Sequence, residues 1–139
     1  MKTVKKYLPL ILRLAVAVIL IQTLRFKLTA HPDSVYIFEQ LSVEPYGRIA
    51  TGILELITGI LILIPRTAWL GATLALGILG GALFSHLTIL GIQVPYNGSL
   101  DGGQLFFTAL ITFVLSAIVL YQNRRAIPFL GARFSTKVA

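Results

Sequence analysis

Three ionisable side chains, Arg13, Glu55 and His86, stand inside stretches that are otherwise almost wholly apolar. Such groups are costly in hydrocarbon, so they turn toward a bundle interior or toward water and take a partner. Arg13 and Glu55 carry opposite charge, and pairing them is the cheapest way to hold either. A histidine such as His86 can take or release a proton near neutral pH. Lys27 and Asp101 flank the same stretches and can reach the site from one end. Two kinds of chemistry follow. In one, a buried Arg13–Glu55 pair fixes helix register and His86 bonds a backbone carbonyl or a threonine. In the other, Arg13, Lys27, Glu55 and His86 line a polar pocket that opens outward and takes an anionic, quinone-like or polar ligand. A proton relay through Glu55 and His86 is a special case of the second.

Other chemistries are poorly supplied. The chain has no cysteine, which excludes disulfides, zinc–thiolate sites, cysteine-ligated iron–sulfur clusters and a dithiol relay carried by the chain itself. His31 and His86 are the only histidines, so a two-histidine haem site would need a dimer axis. There is no H-E-x-x-H or similar spacing, and no metal site is expected. No phosphate-binding glycine fingerprint is present either.

The elements that must position these residues come from composition. In 139 residues, 56% are hydrophobic and 12% charged, with mean hydropathy +0.85. That leaves too little polar surface to cover a water-soluble globule of this size. A spanning helix needs roughly 20 mainly apolar residues. Four stretches qualify, at about 7–24, 46–64, 68–92 and 104–121. None alternates with period two, which argues against a β-barrel. Pro65 is expected to end the second stretch. The predicted fold is therefore all-α: a four-transmembrane-helix bundle forming a single integral membrane domain over 1–139. Lys2, Lys5 and Lys6 before an apolar run imitate a signal peptide, but a spanning helix is expected instead: Arg13 interrupts the run, the run is too long for an h-region, and Leu28-Thr29-Ala30 is a poor small-residue cleavage site.

Charge supplies orientation. Lys2, Lys5, Lys6, Arg66, Arg124, Arg125, Arg133 and Lys137 fall on one side of the spans without an acid among them. The other side carries Arg25, Lys27 and Arg48 against Asp33, Glu39, Glu44 and Asp101. By the positive-inside rule both termini are cytoplasmic, and the expected location is a bacterial-type inner (plasma) membrane. The net charge of +7 is thus a topology signal. Basic residues at span ends are not the one-faced cluster that nucleic acid requires, so the lipid bilayer is the expected partner and nucleic acid is not.

The first external connection, about 25–48, is long for a bundle and should hold a short helix. Pro32 suits its first turn, Asp33 its N-terminal charge, and Val35, Phe38 and Leu41 share one face. That helix is expected to lie over the outer mouth of the bundle, with Tyr36 and Tyr46 at the interface. The second connection, about 93–103, is rich in turn formers, including Pro95, Asn97, Gly98 and Asp101. Gly77, Gly81 and Ser85 repeat every fourth residue on the third span, Gly71 starts a second small-residue row, and Gly52 and Gly59 lie on the second span. These rows predict close helix–helix contact.

Several segments, in this order, resemble the DoxX family of small four-helix membrane proteins. They are Thr23-Leu24-Arg25-Phe26-Lys27-Leu28, Glu44-Pro45-Tyr46-Gly47-Arg48, Glu55-Leu56-Ile57, Leu63-Ile64-Pro65-Arg66-Thr67, Leu70-Gly71-Ala72, Gly81-Ala82, Ser85-His86-Leu87, Leu90-Gly91 and Asp101-Gly102-Gly103. The resemblance implies a four-span bundle and puts the functional weight on Arg13, Lys27, Glu55 and His86. It also implies association with membrane oxidoreductase systems, one branch resembling a quinone-reactive subunit of a thiosulfate-oxidising complex and others linked to oxidative-stress assemblies. The expectation is a membrane subunit or small-molecule binding module of a redox-linked system, with quinone as the candidate cofactor and redox-complex subunits or a second copy as candidate partners. It is not expected to be a self-sufficient enzyme. The alternatives are an assembly partner or chaperone of a larger membrane complex, and a small proton-linked transporter.

Overall fold

Four long apolar helices account for most of the computed structural model, which describes residues 2–29, 31–96 and 98–127. Arg133 and Lys137, counted above for orientation, and Asn97 of the second connection lie outside the described residues. The elements run α1 (Lys2–Leu28), α2 (Pro32–Gln40), α3 (Tyr46–Leu63) and α4 (Ala68–Ser85), then a π-helical turn (His86–Leu90). Short strands β1 (Pro95–Tyr96) and β2 (Ser99–Leu100) and helix α5 (Gln104–Gln122) follow. Each of the four long helices is apolar and long enough to cross a membrane.

The boundaries have local causes. Ile64 leaves the helical region, at φ −88° and ψ 121°, because Pro65 follows it. The short helix α2 forms where expected. Pro32 opens it, and His31 caps it by accepting the Asp33 N–H on Nδ1 at 3.2 Å. Its buried residues are Ser34, Ile37 and Phe38. Of the expected face, Phe38 and Leu41 pack inward as expected, while Ser34 and Ile37 are more deeply buried than Val35, since apolar spacing gives no reason to turn a serine inward. The third span does not run as one α-helix to residue 92. Its last turn widens to π geometry at His86 and stops at Gly91, whose φ of 77° and ψ of 175° only glycine adopts without strain. The turn formers of the second connection build an antiparallel hairpin that pairs Pro95 with Leu100 and Tyr96 with Ser99.

Packing is tightest at one end of the bundle and leaves a cavity toward the other. Where α3 turns into α4, the core is Val16, Ala17, Leu20, Ile62, Ala72, Ala75 and Val119, all 0–1% exposed. There Gly71 sits directly on Ile62: a Cβ at Gly71 would lie 2.6 Å from the Ile62 backbone nitrogen. Along α1 and α3, Gly52 faces Leu28 and Gly59 faces Ile21. The expectation of close contact fails at Gly77 and Gly81, where an added Cβ would meet nothing within 4 Å. Small residues permit close approach without compelling it, and on this face of α4 no described residue comes within 4 Å of either position. At the far end a second apolar cluster of Ile37, Phe38 and Val94 joins α2 to the hairpin, with Phe26, Leu90 and Leu105 around it. Between the two clusters is a cavity.

Candidate functional site

The cavity has a volume of about 740 Å³ and is lined by all four long helices and α2. That lies within the range of small-molecule sites, which are mainly apolar with a few polar groups. The polar groups on its wall include Thr23 and Lys27 from α1, Ser34 from α2, Thr51 and Glu55 from α3, Thr73 and Ser85 from α4, His86 from the π turn and Thr108 and Thr112 from α5.

Lys27 and Glu55 form the charged part. Lys27 Nζ donates to Glu55 Oε1 at 2.9 Å and to Oε2 at 3.2 Å. The two side chains are 14% and 4% exposed. The predicted Arg13–Glu55 pair does not form. Arg13 instead reaches the Leu63 carbonyl, at 3.4 Å, near the tightly packed end. The reason is register. Pairing Arg13 with Glu55 assumes that the centres of the two spans lie at one depth, which leaves the two residues roughly 4 Å apart along the bundle. Yet α1 extends to Leu28, and the contacts of Gly52 with Leu28 and Gly59 with Ile21 set α3 against its C-terminal half. At 1.5 Å rise per residue, Glu55 is roughly 18 Å farther along the bundle than Arg13. Lys27, near the end of α1, is left as its partner.

His86 is 3% exposed and packs edge-on to Phe106, with ring centroids 5.6 Å apart. Its Nδ1 lies 2.8 Å from the Gly91 carbonyl oxygen, and the Gly91 N–H bonds the His86 carbonyl at 2.8 Å. A carbonyl only accepts, so Nδ1 carries the proton, and in the neutral ring Nε2 is the acceptor. The expected bond to a backbone carbonyl is therefore present, and it sets the tautomer. No described residue bonds Nε2.

Ser34 is the residue that sequence reasoning passed over. Its side chain is 0% exposed, it lines the cavity, and its Oγ has no hydrogen-bond partner among the described residues. The contrast with other hydroxyls is sharp: Thr51, Thr58, Thr112 and Ser116 each donate to the carbonyl four residues back in their own helix. A serine on the inward face of a capped helix, beside Ile37 and Phe38, was the only signal available. Arg48 was also read merely as an external charge. It is buried, its Nε donates to both Glu44 oxygens at 2.9 and 3.0 Å, and a terminal nitrogen donates to the Lys27 carbonyl. That carbonyl is in the last turn of α1, where no helical partner remains. Arg48 thereby locks α3 to the end of α1 beside the Lys27–Glu55 pair; the four-residue spacing from Glu44 was its sequence signal.

Asp101, expected at the mouth, organises the hairpin. Its Oδ1 accepts from the Val94 and Gly103 N–H groups at 3.1 and 2.8 Å, and its Oδ2 from Leu105 N–H at 3.0 Å. Partial burial disfavours its charge, but those three backbone donors outweigh it, helped by nearby His86, and hold the carboxyl below the usual carboxylate range. A depressed pKa supplies stability above the ordinary carboxylate range, lost as pH falls through the folded value. Asp101→Asn should cost about 1–2 kcal/mol at neutral pH. It should also remove part of the acid sensitivity of thermal unfolding in detergent; identical acid profiles for the two proteins would count against this role. A smaller cavity of about 260 Å³ lies against Asp101 and Gln104 and shares Thr23, Phe26 and Thr108 with the larger one.

In comparison with known proteins, a family model described as DoxX matches residues 8–88. No curated protein and no solved structure matches the chain. The matched span contains Arg13, Lys27, Ser34, Arg48, Glu55 and His86.

Proposed function

Since the chain belongs to the DoxX family and is a multi-pass integral membrane protein, we propose that it binds a neutral, lipid-soluble small molecule of the quinone class as part of a redox-linked membrane system. The observation that carries this reading is the unpartnered Ser34 hydroxyl, wholly buried on the wall of a mainly apolar cavity. An unsatisfied buried polar group costs about 1–3 kcal/mol, and a ligand oxygen would remove that cost. The groups around it favour a ligand without charge. Lys27 and Glu55 already neutralise each other, so an anion would bring an unpaired charge into a poorly solvated site. Ser34 can donate to a ligand carbonyl. His86 Nε2 can accept from a ligand hydroxyl, which suits a molecule that alternates between carbonyl and hydroxyl forms. The charge distribution along the sequence supports an orientation with the α2 end outside and both termini in the cytoplasm of a bacterial-type cell.

Ser34→Ala separates binding from folding. Without ligand, its melting temperature should equal or exceed that of the parent chain, because the change removes an unpaired polar atom. Its affinity for a benzoquinone analogue, measured by equilibrium binding after mild-detergent purification, should fall about fivefold to tenfold. Ser34→Ala combined with His86→Ala should abolish measurable binding. Parent protein that binds no quinone analogue, or a double variant that binds normally, would sink the proposal.

A further inference from the structure

The wall of this cavity is breached on one side, within the apolar spans. On α4, Ala68, Ala72 and Ala75 are 0% exposed and face the core. Gly77 and Gly81 lie on a different face; both are exposed, yet both line the cavity. On α3, Leu54 also lines the cavity while 44% exposed. The contact of Gly71 with Ile62 fixes the antiparallel register of these two helices. That register brings Leu54, Gly77 and Gly81 to about the same stretch of the α3–α4 seam. At their connected end the two backbones approach closely, a Cβ at Gly71 falling 2.6 Å from the Ile62 nitrogen. Along the open stretch a Cβ at either glycine would meet nothing.

Resting on the binding reading above, we infer that the cavity is entered sideways from the hydrocarbon, between α3 and α4, by an amphiphile with an apolar chain. Its polar head meets Ser34, His86 and the Lys27–Glu55 pair. Its chain lies along Gly77 and Gly81 and leaves through the seam toward the lipid. Two features point this way together: a buried hydroxyl that wants a polar head, and, on the α4 wall of the same cavity, two exposed glycines around which a Cβ would meet nothing within 4 Å. A water-soluble ligand would need no opening at this level. Gly77 and Gly81 then select for chain-bearing ligands, because the absence of a side chain leaves the slot open.

The test uses two probes with one head group, 2,3-dimethoxy-5-methyl-1,4-benzoquinone without a chain and the same quinone bearing a decyl chain. Binding is measured on the full chain in lipid nanodiscs and corrected for partition into lipid. The parent protein should prefer the decyl form by about tenfold or more, because methylenes buried in the slot add affinity. Gly77→Leu/Gly81→Leu, which fills open space, should bring that preference to about onefold while changing the affinity of the chainless probe by less than about threefold. An unchanged preference in a variant with normal melting would overturn the inference and leave the binding site standing. Equal affinity of the parent for both probes would do the same. Failure of the parent to bind either probe would overturn the site as well.

Discussion

Lys27→Met is expected to lower the stability of the folded protein by about 3–5 kcal/mol, the largest effect of any single change in the site. Glu55 is 4% exposed at its side chain and both its oxygens face Lys27 Nζ. Removing the amine leaves a buried carboxylate without its counter-ion, and the penalty of taking that charge out of water is no longer offset. Glu55→Leu should cost less, about 2 kcal/mol, because Lys27 is near the end of α1 and its long stem can carry the charge toward the interface. Lys27→Met/Glu55→Leu should recover most of the loss, since replacing both charges removes the desolvation penalty along with the attraction. Thermal or denaturant unfolding of all four proteins in one detergent, without added ligand, measures the coupling directly. If the two single losses simply add in the double variant, the pair contributes nothing as a pair.

The Lys27–Glu55 partnership is not legible in the sequence, for a physical reason. Apolar length located all four spans, and the proline and aspartate at 32–33 located α2. Glu55 was recognised as a buried charge because a carboxylate inside an apolar run has few other options. Its partner was misassigned, because a partner depends on how one helix is offset along another. Sequence periodicity describes a face of a single helix and says nothing about that offset. Here the offset is set by Gly52 against Leu28, Gly59 against Ile21 and the Arg48 bond to the Lys27 carbonyl. These are contacts between distant parts of the chain. Ser34 was missed for a related reason: an unpaired hydroxyl is recognisable only once the surrounding acceptors are known to be elsewhere.

The glycines yield the second large effect, and they should divide sharply. Gly71→Ala is expected to cost about 3 kcal/mol, at the upper end for overpacking, because its Cβ would lie 2.6 Å from the Ile62 nitrogen and 2.9 Å from the Ile62 Cα. Those are backbone atoms of a neighbouring helix close to a short turn, so relief requires α3 and α4 to move apart where the core is tightest. Gly52→Ala should cost about 1 kcal/mol: its obstacle is the end of the Leu28 side chain, at 2.8 Å, which can change rotamer. Gly77→Ala and Gly81→Ala should be neutral or stabilise by up to about 1 kcal/mol, since they add helix propensity and touch nothing. Small residues spaced four apart usually mark close packing, and that spacing alone makes Gly77 and Gly81 look like Gly71. Melting temperatures of the four alanine variants in the same detergent decide between the two roles. A loss at Gly81 as large as that at Gly71 would mean that a surface packs against this face of α4, and the side opening would be closed. The expected order, with Gly71 costly and Gly77 and Gly81 free, leaves the space beside α4 open for a ligand.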